Sequence, residues 1–185
     1  MKTYISLLRG INVSGQKKIK MEELISLYAA LGFQNVQTYI QSGNVVFQSQ
    51  NPDAVELSRN IEAGIVEHFG YSVSVLIRLK SDLRRILEHN PFLRDRDEDI
   101  TKLCVVFLAE SPDQSALNEI STVKDPYDEF QVMGREIYLF CPGGFGRTKF
   151  SNNFFERKLK LSATSRNWKT VSKLYELADM DHLIS

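Results

Sequence analysis

The sequence predicts an α+β fold made of two tandem units, and three observations carry that expectation. Short apolar runs and helix-period segments follow one another as strand, helix, strand, strand, helix, strand over residues 1–80. A second pass of nearly the same order begins after Leu79. The central hairpins of the two passes look alike, TYIQSGNVVF beside EFQVMGREIYLF, so an internal duplication is expected. The β-α-β-β-α-β order is the split βαβ arrangement, the ferredoxin-like unit or α/β plait.

Each element follows from its own stretch of chain. Residues 3–8 form a short apolar run, read as a strand, and residues 10–20 a polar, glycine-containing loop. Residues 21–31 carry apolar side chains at 21, 24, 25, 27, 28 and 31, a helical spacing that Gly32 ends. Residues 36–40 and 45–47 are strands around the turn QSGN, where Gly43 makes a tight hairpin. In residues 53–69 Ile61, Ile65 and Phe69 recur every fourth position, a second helix; residues 73–79 alternate as a strand. Residues 81–88 read as a linker helix that His89-Asn90-Pro91 stops, and LRDRDED as a solvated hinge between units. Then come a strand over 102–108, a helix over 112–120, strands over 129–133 and 136–140 around Gly134-Arg135, and a helix over 150–161.

The end of the second pass differs. In TSRNWKTVSKLYEL, Trp168, Val171, Leu174, Tyr175 and Ala178 make an apolar helical stripe, with Arg166, Thr170 and Lys173 on a polar one. A helix capped by Thr164 or Ser165 is therefore expected in place of the second unit's last strand. The expected division is 1–80 for the first unit and 81–185 for the second, with its linker helix and C-terminal helix. The run LCVVFL is apolar at every position, so that sheet should be covered on both faces, the second cover coming from the Trp168 helix or the other unit.

At 185 residues, 43% hydrophobic and 25% charged, the chain can bury a core without a metal or disulfide. Net charge is zero, so overall charge names no partner. Cys104 and Cys141 lie in apolar runs and read as buried thiols of a reducing compartment; a disulfide would need their strands to be neighbours. The N-terminus lacks the apolar core of a signal peptide and no run of about 18 apolar residues occurs. The expected address is the cytoplasm, without a membrane partner.

Three separated motifs, LLRGINVSGQKKIKMEEL, TYIQSGNVVF and TSRNWKTVSKL, resemble a bacterial family known as domain of unknown function 1697. The resemblance covers nearly the whole chain and implies two α/β-plait units in tandem. It implies no established activity, hence no catalytic residues. The family pattern has glycine at the position of Ser14 and proline at that of Lys20, so the resemblance does not define the backbone of the first loop.

Candidate binding residues come from three stretches. The loop GINVSGQKKIK joins a strand to a helix, and Arg9, Asn12, Lys17 and Lys18 stand in or beside it, with Lys20 and without an acid. Such a turn with a following helix N-terminus suits an anion; the alternative is a solvated basic loop in which Asn12 makes a local turn bond. It is no dinucleotide fingerprint, because Asn12 stands where glycine is required. GGFGRTK offers Arg147 and Lys149 as a loose phosphate cradle, in the wrong order for a Walker loop, or else a plain connection with Thr148 or Ser151 as helix cap. In the Trp168 helix, Arg166 and Asn167 would sit in the first turn, where an arginine opposes the dipole unless an anion is bound, with Thr170 and Lys173 on the same stripe. Alternatively Arg166 pairs with a carboxylate and Asn167 closes a buried network. Gln41, Ser42 and Asn44 read as turn chemistry. Their hairpin is expected at the sheet end opposite the first loop, so Gln41 and Arg9 should not share a site unless the units pack end to end.

Residues 143–174 hold eight Lys or Arg and one acid, whereas residues 95–129 hold ten acids and three bases. Either the basic segment forms a phosphate-binding face with Phe145, Phe150 and Trp168, or the two segments neutralise each other. His68, His89 and His182 are scattered, no metal-ligand spacing occurs, and no nucleophile motif is present. No cofactor, metal or catalytic residue is assigned. An RNA-recognition sheet needs aromatics on its central strands, and here only Tyr4 and Phe47 are offered. The expected function is a non-enzymatic module for a phosphate-bearing ligand, RNA or a nucleotide. The cations at Arg9, Lys17, Lys18, Arg147, Lys149, Arg166 and Lys173 would contact phosphates, with Asn12, Asn167 and Thr170 positioning them. An enzyme acting on a phosphorylated small metabolite and a protein-interaction module stay open beside it.

Overall fold

A computed structural model describes residues 1–180. The chain divides into two compact units, Met1–Arg84 with the stretch from Lys173 onward, and Arg85–Ser172. The first boundary lies four residues beyond the division read from sequence. The stretch from Lys173 groups with the first unit, where Asp179 pairs with Lys80 at 2.5 Å.

In the first unit, β1 (Lys2–Leu8), β2 (Gln34–Tyr39), β3 (Asn44–Ser49) and β4 (Val75–Leu79) form an antiparallel sheet in the order β2-β3-β1-β4. Its core lies against α1 (Met21–Ala30) and α2 (Ala54–Phe69). The helices form where the chemistry of their ends and faces agrees. Asp53 caps α2 by accepting from Val55 and Glu56 N–H at 2.9 and 3.1 Å, Gly70 closes it in the left-handed region, and Leu57, Ile61 and Ile65 line its buried face. Tyr4, Tyr28, Phe33 and Phe47 pack ring on ring, with centroids 4.6–5.7 Å apart. Each such pair contributes about 0.5–1.5 kcal/mol beyond its buried area. The other face of the sheet is buried as well, at Ile5, Leu7, Val46, Leu76 and Arg78.

The second unit repeats the pattern with β5 (Leu103–Leu108), α5 (Gln114–Ser121), β6 (Glu129–Met133), β7 (Glu136–Phe140), α6 (Asn152–Leu159) and β8 (Ala163–Asn167). Its sheet order is β6-β7-β5-β8. The last strand is present, which corrects the expectation that a helix replaces it. Thr164 and Ser165 are not caps; they lie in β8, paired with Phe107 and Val106 of β5. The physical reason is hydrogen bonding: β5 is buried along its whole length, and a second partner strand satisfies backbone groups that water cannot reach. The helix α7 (Trp168–Met180) follows directly, and Asn167 is its cap, accepting from Thr170 N–H at 2.8 Å.

All six residues of LCVVFL are buried, so the sheet is covered on both faces, as its lack of alternation predicts. Within this unit the end of α3 (Lys80–Glu88) and α4 (Pro91–Arg94) supply part of the second cover. Tyr138 donates to the Ile86 carbonyl at 3.3 Å, and Phe92 packs on Phe140 with centroids 5.8 Å apart. LRDRDED is solvent-exposed at residues 94–97 but lies inside the second unit rather than between units, and there Arg96 lies over both rings and bonds Glu98 and Glu129 at 2.5 and 2.8 Å. Both cysteines are free thiols although β5 and β7 are neighbours.

The two sheets share a register. Leu8 pairs with Val75 and Ile5 with Arg78, while Leu108 pairs with Ala163 and Val105 with Arg166. Arg78 and Arg166 thus hold matching positions. Each is buried, and each donates from Nη1 to the carbonyl of the preceding residue, Ile77 at 3.0 Å and Ser165 at 2.8 Å.

Candidate functional site

The loop after β1 is held together by Asn12. Its side-chain amide donates to the carbonyls of Ile19 at 2.9 Å and Gln41 at 2.8 Å, and its Oδ1 accepts from Ile19 N–H at 2.9 Å. Its backbone is left-handed, φ 55°, a region asparagine tolerates better than most residues. The amide is engaged by Ile19 inside the loop and by Gln41 in the hairpin turn, which extends the local-bond alternative read from sequence. The bond to Gln41 also corrects the expected placement of the hairpin. Because β3 runs antiparallel to β1, the start of β3 adjoins the end of β1, and the hairpin turn lies beside the first loop. Lys17 donates to the Ser72 carbonyl at 2.6 Å, Arg9 N–H to the Ser74 carbonyl at 2.9 Å, and Lys18 is exposed. Ser14 has φ 50° and Lys20 φ −75°, the values glycine and proline favour at those positions.

In the second unit, Arg166 stands on β8 opposite Val105, not in the first turn of a helix. The conflict between an arginine and the positive end of a helix dipole therefore does not arise. Its exposure is 8%, and Nη1 also donates to Thr164 Oγ1 at 2.8 Å. Asn167 is engaged as the α7 cap, Thr170 is buried, and Lys173, in the first unit, pairs with Glu176 at 3.0 Å.

The remaining candidates, Arg147 and Lys149, share a cleft of about 510 Å3 with Tyr127, Asp128, Gly143 and Gly144. Two turns build it. After β7 the chain doubles back with Gly144 N–H on the Cys141 carbonyl at 2.9 Å, passes through a 3-10 turn (Phe145–Arg147), and enters α6 under the Ser151 cap. Facing it, Asp125 Oδ1 accepts from Tyr127 and Asp128 N–H, both at 3.0 Å, which fixes the turn 125–128. Those two donors, then Lys149 at 3.3 Å, hold the Asp125 carboxyl below the usual carboxylate range. Lys149 also donates to the Lys124 carbonyl at 2.5 Å. Arg147 is exposed and enters no ion pair among the described residues. The acidic and basic segments thus neutralise each other in part, at Lys149 with Asp125 and at Lys158 with Glu119, 2.6 Å apart. A second cleft of about 490 Å3 shares Asp125 and Asp128 and has an apolar floor of Leu117, Ile120, Phe130 and Phe150.

Neither thiol is poised as a nucleophile. Burial, then the neighbouring Cys141, pushes Cys104 up to about 12; burial also pushes Cys141 up to about 12, with Asp128 adding to it and Thr148 opposing. His182 lies outside the described residues. Among the described residues no group of three His, Cys, Asp or Glu side chains is placed to hold a metal ion. Sequence reasoning missed Tyr127 and its turn. The signal was D-P-Y-D, a turn motif, but exposure of the ring had no counterpart in the residue pattern.

The described residues define a mixed α+β protein with two four-stranded antiparallel sheets. Residues 1–138 match the model of the family described as "Protein of unknown function (DUF1697)", and the chain belongs to that family. No curated protein sequence matches the chain. Among solved structures the chain is similar to the conserved bacterial protein SP0830 from Streptococcus pneumoniae, at 24% identity and a TM-score of 0.73, over 96% of this chain and 98% of that one. At that identity the likeness speaks for the fold. The family match stops before the loop 142–149, so the cleft combines residues within it and beyond it.

Proposed function

We propose that the chain is a non-enzymatic, cytoplasmic module that binds a phosphate-bearing ligand in the cleft between turns 125–128 and 142–149. In this reading the scaffold is a tandem pair of ferredoxin-like units arisen by duplication, supported by matching strand orders and by the matching registers of Arg78 and Arg166. No helix among the described residues is long and apolar enough to cross a membrane. The observation that carries the ligand reading is Arg147, an exposed guanidinium without an ion pair among the described residues, on a glycine loop that borders a cavity of ligand size. Guanidinium binds phosphate bidentately, whereas Lys149 is already shared with Asp125. A charge-assisted bond of this kind is worth about 1.5–3 kcal/mol, so Arg147→Ala should weaken binding about 10- to 100-fold. Calorimetric titration of the full chain at low salt with inorganic phosphate, ribose 5-phosphate and AMP tests this. Equal binding by wild type and Arg147→Ala, or no binding of any phosphate compound, would overturn it.

A further inference from the structure

We infer that the ligand of this cleft is a nucleoside phosphate unit, with its base stacked on Tyr127 and its phosphate against the Gly143 backbone and Arg147. The inference rests on the phosphate reading and names the ligand class. Tyr127 is 76% exposed, above every other exposed large hydrophobic side chain described. Asp125 locks the backbone on which this ring is carried, so the ring is presented at little further entropy cost. An exposed aromatic beside a guanidinium is a pairing that holds nucleotides: the ring takes the base and the cation takes the phosphate.

Gly143 supplies a second, independent observation. Its φ lies outside the left-handed region, and a Cβ built there would meet no atom within 4 Å. No positive φ and no packed neighbour calls for glycine at this position, and unlike Gly146, of which the same holds, Gly143 lines the cleft. A bare backbone on the wall of a cavity lets a ligand approach the main chain closely. Charge points the same way. Arg147 and Lys149 are balanced by Asp125 and Asp128 in the same cleft, so a bare anion gains little from the local field. A ligand with both a phosphate and hydroxyl or amino donors satisfies the two signs together.

Titration of the full-length chain with AMP, adenosine, ribose 5-phosphate and an oligoadenylate tests the inference. AMP should bind about tenfold more tightly than ribose 5-phosphate. Tyr127→Ala should remove that difference while leaving ribose 5-phosphate binding unchanged. Gly143→Ala should keep the wild-type melting temperature and weaken AMP about tenfold, the loss of one charge-assisted bond to the main chain. If ribose 5-phosphate matches AMP and Tyr127→Ala changes neither, the base platform is overturned and the phosphate site stands. If adenosine binds as well as AMP, the phosphate reading falls. If nothing binds, both fall. Oligoadenylate outcompeting AMP, with affinity falling steeply in salt, assigns the unit to a nucleic acid strand; AMP binding as tightly as the strand, with little salt dependence, assigns it to a free nucleotide.

Discussion

Replacing Asn12 with alanine separates a structural pin from a ligand contact. Asn12 makes three bonds to main-chain atoms, two as donor to Ile19 and Gln41 and one as acceptor from Ile19. A net hydrogen bond is worth about 0.5–1.5 kcal/mol, and partial exposure of these argues for the lower half, so their loss costs about 2 kcal/mol. Alanine at φ 55° adds about 1 kcal/mol of backbone strain. The sum, about 3 kcal/mol, corresponds to a melting temperature lower by roughly 6–12 °C for a chain of this size. Asn12→Gly omits the strain and should be about 1 kcal/mol less damaging than alanine. Urea denaturation followed by circular dichroism reads both values. A loss below about 0.5 kcal/mol for Asn12→Ala, or glycine worse than alanine, would refute the pinning argument.

Two further perturbations probe a turn glycine and a paired carboxylate. At Gly43, φ is 74° and an added Cβ would lie 2.6 Å from Leu8 Cβ and 2.8 Å from Ile11 Cδ1, so Gly43→Ala combines strain with overpacking. It should cost about 2–4 kcal/mol, visible as a lower urea midpoint at unchanged slope; a midpoint within error of wild type would count against the packing described. Asp125 has a folded pKa below its ordinary value, so its stabilisation is present above about pH 4 and is lost as pH falls through the depressed folded value. Asp125→Asn should therefore lower the urea midpoint near neutrality and converge on wild type in acid; a constant gap across that range would contradict the sign.

The parts of the fold legible in sequence were those where one local signal agreed with its tertiary setting. The strands around Gly134-Arg135 were bounded correctly because two β-rich runs flank a two-residue turn. The full burial of LCVVFL followed from its lack of alternation. The strand β8 was not legible, because ATSRN contains no apolar run; its burial comes from Thr164 and Arg166, residue types that elsewhere mark caps and surfaces. The candidate site was legible as charge but not as pairing. Asn12 meets Gln41 across 29 positions of sequence, and Lys149 meets the Lys124 carbonyl across 25, so the partners that occupy these side chains emerge only with the chain folded. Tyr127 is the converse case, an aromatic that could have been core and is not.

The boundaries between the units, after Arg84 and after Ser172, both fall within helices, α3 and α7. The first unit is thus written in two pieces of sequence, and the second is written in one piece between them. A ribosome releases the chain from the N-terminus, so the second unit can be finished while the first still awaits its last segment. The half encoded first is completed last, and a nascent chain arrested near residue 172 would hold Lys80 without the Asp179 carboxylate that pairs with it.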